Sequence, residues 1–217
     1  MKKIVLIGAG GHARVLLDIL QDDKNSQVCA LLDTDRDKWG TTICNVPVIG
    51  DDNCLADLRR QGASHFVVGI GAPGQAARRR QLFDTAQRVG LAPASIVHPT
   101  ATCFPSAMLA EGVQLLAQSA VSAGATVQTN VIVNTGAIVE HDCLLEPHVH
   151  VAPRACLAGG VRVGTGAHIG LGAAVKEDVS IGDHSIVGAG AVVIENVPAN
   201  TVVVGIPAKP LRKKEAA

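Results

Sequence analysis

Residues 127–157 read VQTNVIVNTGAIVEHDCLLEPHVHVAPRACL, and their spacing decides the fold. Val127, Val133, Val139, Leu145, Val151 and Leu157 stand six residues apart. The rhythm continues without a slip, back through Val121, Leu115, Leu109 and Cys103 to Val97, and on through Val163, Ile169, Val175, Ile181 and Val187 to Val193. Four residues after each stop comes a compact residue, among them Ala125, Ala137, Cys143, Ala155, Ala167 and Ala173. A period of six fits neither the 3.6 of a helix nor the alternation of a simple strand. It fits a parallel β-helix, in which each six-residue unit forms one face of a prism. One large aliphatic side chain per face points inward and a small one turns the corner, so stacked coils bury a continuous column. Three faces make a coil of about eighteen residues, and the stretch supplies about five to six coils. Turn formers such as Gly164-Thr165-Gly166 and Gly182-Asp183-His184 suit the exposed corners.

The chain before this prism reads as a small α/β unit. Lys3–Ile7 is a short apolar run ending in Gly8-Ala9-Gly10-Gly11-His12-Ala13, followed by helical spacing at Val15, Leu16, Ile19 and Leu20. Val28–Leu32 is a second strand, Val46–Gly50 an extended segment, and 53–61 a helix. Phe66–Ile70 is a third strand closed by Gly71-Ala72-Pro73-Gly74, and a basic helix covers 75–89. Alternating strands and helices imply a parallel sheet with crossover helices, a Rossmann-like half-domain over 1–95 preceding an all-β domain over 96–217. The link is expected at 91–95, where Pro93 interrupts the helix.

Composition narrows the function. The 217 residues carry 19 Lys+Arg against 19 Asp+Glu and only 2% aromatics, with no basic stripe, which argues against a nucleic-acid partner. The six cysteines form no CxxC pair, and several occupy apolar slots of the repeat, a usage that suits a reducing cytoplasm. Four apolar residues before the first glycine are too few for a signal peptide or a membrane span.

Two stretches carry chemistry. Gly8, Gly10 and Ala13 satisfy G-x-G-x-x-(G/A) between a strand and a helix, a turn that lets backbone approach a pyrophosphate at the positive helix end. Asp33, at the end of the second strand, is placed to accept hydrogen bonds from a ribose. A unit of this size suits one nucleotide diphosphate better than a nicotinamide dinucleotide; a tight turn without ligand is the remaining alternative. His12 would face any phosphate there, or else stands as an exposed polar residue of the first turn. Arg78-Arg79-Arg80 reads as a solvated helix face, with one of the three free to reach a phosphate.

The second stretch is Glu140-His141-Asp142, on the corner between the inward slots Val139 and Cys143. Three such residues have no packing role at a corner. An imidazole beside a carboxylate gains basicity and can take a proton at neutral pH. The competing reading is an ordinary polar corner, as at Asp183-His184. His141, His148 and His150 fall at different places in the repeat, so no metal is expected.

Throughout its length the chain resembles the hexapeptide-repeat acyltransferases. It is similar in particular to the nucleotide-sugar N-acetyltransferases of bacterial glycan biosynthesis, with the sialic-acid O-acetyltransferases as close relatives. The Gly-Ala-Gly-Gly-His turn, the Asn134–Cys143 block and the terminal Val204-Gly205-Ile206-Pro207-Ala208-Lys209-Pro210 carry the likeness. The resemblance implies a left-handed β-helix, a homotrimer, and acetyl-CoA as cosubstrate in a groove between neighbouring β-helices. It implies His141 as general base and Asp142 as the residue that raises its basicity. His150, Gly159, Leu171 and Ala189 would contact the cofactor or acetyl group, with the Gly159 N–H toward the oxyanion. Gly10, Gly11, His12, Asp33 and Gly71 would hold a nucleotide-linked amino-sugar. Acetyl transfer to a sugar hydroxyl, a catalytically silent nucleotide-sugar binding trimer and a nicotinamide-dependent oxidoreductase are the alternatives.

Overall fold

The computed structural model describes residues 1–71 and 74–211, so Ala72 and Pro73 of the third strand's closing turn lie outside the described residues, as do residues 212–217. The chain divides into two compact units, Met1–Ile96 and Val97–Ala217.

The first unit is a six-stranded sheet with crossover helices. In chain order it runs β1 (Lys2–Ile7), α1 (Gly11–Gln21), β2 (Ser26–Leu32), β3 (Thr42–Ile43), β4 (Val46–Gly50), α2 (Leu55–Arg60), β5 (His65–Val68), α3 (Ala76–Arg88) and β6 (Ala92–Pro93). The strand order is β3-β4-β2-β1-β5-β6, parallel except for the β3–β4 pair. The buried stripe of α1 is Ala13, Leu16, Leu17 and Leu20, while Val15 faces out. Val5, Ile7, Leu32, Phe66 and Val68 share a core with Leu82 and Phe83 of α3, the two phenylalanine rings meeting edge-on at 5.1 Å.

Three features depart from the sequence expectations. Pro93 is not in a bare link: it forms β6 at the sheet edge, where a residue without an N–H costs no ladder bond. A β3–β4 hairpin precedes α2, its two-residue turn made by Cys44 and Asn45 with φ of 49° and 63°. The arginine run is not a wholly solvated face. Arg79 is buried, and desolvation pushes its guanidinium down to about 10. Arg78 pairs with Asp52 at 2.9 Å and Arg80 with Asp84 at 3.7 Å, both on the wet side of α3.

The second unit is a three-faced parallel β-helix of two-residue strands. Face one holds Gln114–Leu115, Ile132–Val133, His150–Val151, His168–Ile169 and Ile186–Val187; face two holds Ala120–Val121, Ile138–Val139, Cys156–Leu157, Ala174–Val175 and Val192–Val193. Face three holds Thr126–Val127, Leu144–Leu145, Arg162–Val163 and Ser180–Ile181. Each rung pairs residues one coil apart, as Ile138 with Cys156 and Val139 with Leu157. The sixfold stops from Leu115 to Val193 are buried in one core with the compact residues between them. Val97, Cys103 and Leu109 keep the register but are exposed, because the first coil has a neighbour on one side only. The buried Ser119 and Ser185 hydroxyls donate to the carbonyls of Leu116 and Pro198, both at 2.7 Å. Leu157→Ala, deep in this column, is expected to cost about 2–5 kcal/mol, read by chemical denaturation.

Corners repeat as regularly as the core. Every sixth residue from Gly112 to Gly190 has positive φ, glycine at some corners and Gln118, Asn130, Asp142, His148, Arg154, Asp178 or His184 at others. Asn and Asp tolerate this left-handed conformation better than most side chains. Asp142 therefore owes its place to backbone geometry as well as to chemistry.

Candidate active site

His141 stands on the corner between faces two and three, and the left-handed turn at Asp142 (φ 59°) swings that carboxylate back beside it. Nδ1 of His141 lies 2.9 Å from Oδ2 of Asp142, and the backbone N–H of His141 donates to Glu140 Oε2 at 3.3 Å. With Nδ1–H donating to the carboxylate, Nε2 keeps its lone pair for a substrate proton. Both side chains are open to solvent, 63% and 73% exposed, so the pair is reachable. The hydrogen bond that the ring donates to Asp142 holds the imidazole above its usual range; desolvation opposes this, and the charges of Asp142, Glu140 and Asp178 add to it. The next coil makes room: a Cβ on Gly159 would stand 2.5 Å from both Cε1 and Nε2 of His141, so only glycine leaves the ring where it is.

Cys143, two residues on, is no competitor as nucleophile. Its thiol is buried, donates to the carbonyl of Ala158 at 3.2 Å, and is pushed up to about 11, chiefly by desolvation. Leu171 and Ala189 are exposed one coil apart on the corner between faces one and two. They and His141 thus flank opposite edges of face two rather than lining one pocket within the chain. His150 is buried on face one, its Nε2 3.1 Å from Asn134 Nδ2 and its ring edge-on to His168 at 4.9 Å. Among the described residues no group of three His, Cys, Asp or Glu could hold a metal ion.

In the first unit, Gly8 (φ 116°) crosses close to β5: a Cβ there would meet the carbonyl oxygen of Gly69 at 3.0 Å. Ala13 is small for the same reason, lying 3.1 Å from where a Cβ on Gly69 would be. Gly10 is the N-cap of α1 and Gly11 its first residue, with nothing within 4 Å of a Cβ on either. The N-cap of α1, Gly10, brings no capping side chain and no acidic residue occupies the first turn, a helix end whose polarity suits an anion. The His12 ring lies over Gly71, whose Cβ would come within 3.2 Å of its Cγ. The structure thus gathers Gly10, Gly11, His12 and Gly71 at one helix end.

Asp33 is placed there too, in a role the sequence did not disclose. Its Oδ2 accepts the Ala9 N–H at 2.8 Å and Lys38 Nζ at 3.1 Å, and its Oδ1 accepts the Asp35 N–H at 2.9 Å. Burial alone would raise this carboxyl, but those three donors outweigh it and hold it low. Trp39, whose Nε1 donates to the Asp33 carbonyl at 2.8 Å with Arg36 stacked on its ring, closes the same loop. Asp33→Asn is expected to cost about 1.5–3 kcal/mol at neutral pH, by denaturation. Because the carboxyl is held low, that contribution fades in the wild type only as pH falls through the folded-state value.

This architecture, an α/β unit followed by a left-handed parallel β-helix with a histidine corner, is that of a hexapeptide-repeat acyltransferase. The model of the PglD N-terminal domain matches residues 3–86. PerB from Caulobacter crescentus, solved with CoA and GDP-perosamine, is 39% identical, with a TM-score of 0.90 over 98% of both chains. Two further structures of that enzyme, with a histidine replaced by asparagine or alanine, were solved with the same two ligands. The acetyltransferase domain of PglB from Neisseria gonorrhoeae, solved with acetyl coenzyme A, is 36% identical, with a TM-score of 0.88 over 97% of this chain and 99% of that one. UDP-N-acetylbacillosamine N-acetyltransferase of Bacillus subtilis is 35% identical over 121 residues, 54% of this chain; the match spans 52%, about half, of that curated relative. The chain belongs to the nucleotide-sugar N-acetyltransferase family.

Proposed function

We propose that the protein transfers the acetyl group of acetyl-CoA directly to the amine of a nucleotide-linked amino-sugar in bacterial glycan biosynthesis. The observation that carries this reading is the exposed His141, hydrogen-bonded to Asp142 and pressed against Gly159. The amine arrives mostly as an ammonium ion without a lone pair. His141 Nε2 takes its proton as nitrogen adds to the thioester carbon. The tetrahedral oxyanion is stabilised by a backbone N–H, that of Gly159 being the candidate. Collapse breaks the C–S bond, the departing CoA thiolate takes up the second proton released from nitrogen, and no covalent enzyme intermediate forms. The first unit binds the nucleotide, its diphosphate on Gly10 and Gly11 at the head of α1 with His12 and Gly71 beside it and its ribose toward Asp33; this binding orients the amine.

The acetyl-CoA site is completed by a second chain in a homotrimer. The position of His141 on one edge of face two and of Leu171 and Ala189 on the other supports this reading, since packing three prisms side by side would bring unlike edges together. His150 is assigned to the same cofactor site. A solution mass of three times 22.3 kDa by ultracentrifugation is expected, and a monomer contradicts it. No helix among the described residues is long and apolar enough to cross a membrane. The six cysteines, all free thiols, support placement in the reducing cytoplasm.

The test mixes acetyl-CoA with GDP- and UDP-linked amino-sugars. Direct transfer predicts intersecting initial-rate lines and an acetylated product that survives alkali, as amides do. Parallel lines would mean an acyl-enzyme, and an alkali-labile product would mean an ester.

A further inference from the structure

We propose that Gly124, on the coil before His141, is a positioning residue for the reaction: its missing side chain leaves the space in which the Asp142 carboxylate lies beside the imidazole. The inference rests on the reading of His141 as general base. A Cβ on Gly124 would stand 2.6 Å from Oδ1 of Asp142 and 3.7 Å from its Cγ, while the other oxygen, Oδ2, holds His141 Nδ1 at 2.9 Å. The carboxylate is planar, so displacing Oδ1 turns Oδ2 out of line with the ring. The two coils flanking the pair thus each contribute a glycine, Gly159 against the imidazole and Gly124 against the carboxylate.

Backbone conformation alone does not demand glycine at this corner. Gly124 has φ of +71°, but equivalent corners hold Gln118, Asn130, His148, Arg154 and His184 at φ of 56° to 64°. What calls for glycine at position 124 is the carboxylate one coil on. The same arrangement recurs where Asp178 lies against Gly160, and there the residue before the aspartate is Glu177 rather than a histidine. The turn itself is pinned independently, the Gly124 N–H donating to Ser106 Oγ at 3.2 Å.

The charges that face His141 are few. Glu140 and Asp142 share its corner; Ser122-Ala123-Gly124 before it and Ala158-Gly159-Gly160 after it bring none; Lys176, Glu177 and Asp178 stand two coils on. A change at position 124 therefore acts on the imidazole through Asp142.

The test titrates the His141 imidazole by NMR in the full chain, for wild type, Gly124→Ala, Gly124→Asn, Gly136→Ala and Asp142→Asn. Gly136 has the same backbone conformation (φ +64°), but its Cβ would meet only Arg154 Cγ at an ordinary 3.5 Å. Asparagine tolerates positive φ, so Gly124→Asn keeps the clash while easing the backbone. Both Gly124 variants should lower the His141 midpoint as far as Asp142→Asn does, with the acid limb of kcat/KM following, and Gly136→Ala should leave both in place. Folded Gly124 variants with the wild-type midpoint would overturn the proposal, as would loss of folding in both while Gly136→Ala folds. If the midpoint falls as expected but His141→Ala turns over like wild type, Gly124 positions the pair and the general-base reading is what fails.

Discussion

His141→Ala is expected to lower kcat by about 10²–10⁴-fold while leaving the fold and the binding of CoA and nucleotide-sugar in place. The side chain is solvent-exposed on a corner whose backbone is fixed by its neighbours: the His141 carbonyl accepts the Gly160 N–H at 2.9 Å, and the Asp142 N–H donates to Ala123 at 3.0 Å. Removing the ring takes nothing from the buried column. It does take away the only group on that corner able to accept a proton near neutrality while holding a carboxylate partner. The check is a steady-state rate beside a CoA-binding isotherm and a thermal melt. A rate loss accompanied by equal loss of binding or folding would make His141 structural.

Gly159→Ala should have the second largest effect, about 10²-fold on kcat/KM. The added methyl falls on the face of the imidazole at 2.5 Å, so the ring must swing away from Asp142 Oδ2 and from the line on which Nε2 meets a substrate. Gly159 has no positive φ to protect, so alanine brings no backbone strain. The variant should melt like wild type yet resemble His141→Ala in rate. Full activity would show that the ring position is not critical or that the reaction uses another group.

The difference between what was legible in the sequence and what was not is physical. The β-helix was legible because its core is a one-dimensional pattern: Val139, Leu157 and Val175 report burial by spacing alone. The corner pair was legible because Glu140, His141 and Asp142 have no packing role. The glycines at 124 and 159 were not legible as supports of that pair, since their partners lie a full coil away and only the stacked register brings them together. Asp33 was seen, but not its work in pinning Ala9, because a carboxylate beside a glycine turn reads alike whether it binds a ligand or the chain. Arg79 was misread with its neighbours: a run of three charges hides the one that the helix turns inward. The open first coil could not be anticipated, because sixfold spacing says nothing about whether another coil lies beyond Val97.

The pH dependence of kcat/KM, measured for wild type and Asp142→Asn, tests the general-base assignment most directly. A base must be neutral to act, so the rate should rise with pH through a midpoint above the ordinary histidine value of about 6.5. Loss of the carboxylate should move that midpoint down while lowering the plateau, because Asp142 holds the His141 proton in the folded protein. A profile flat across the histidine range, or one that Asp142→Asn leaves where it was, would contradict proton transfer to His141.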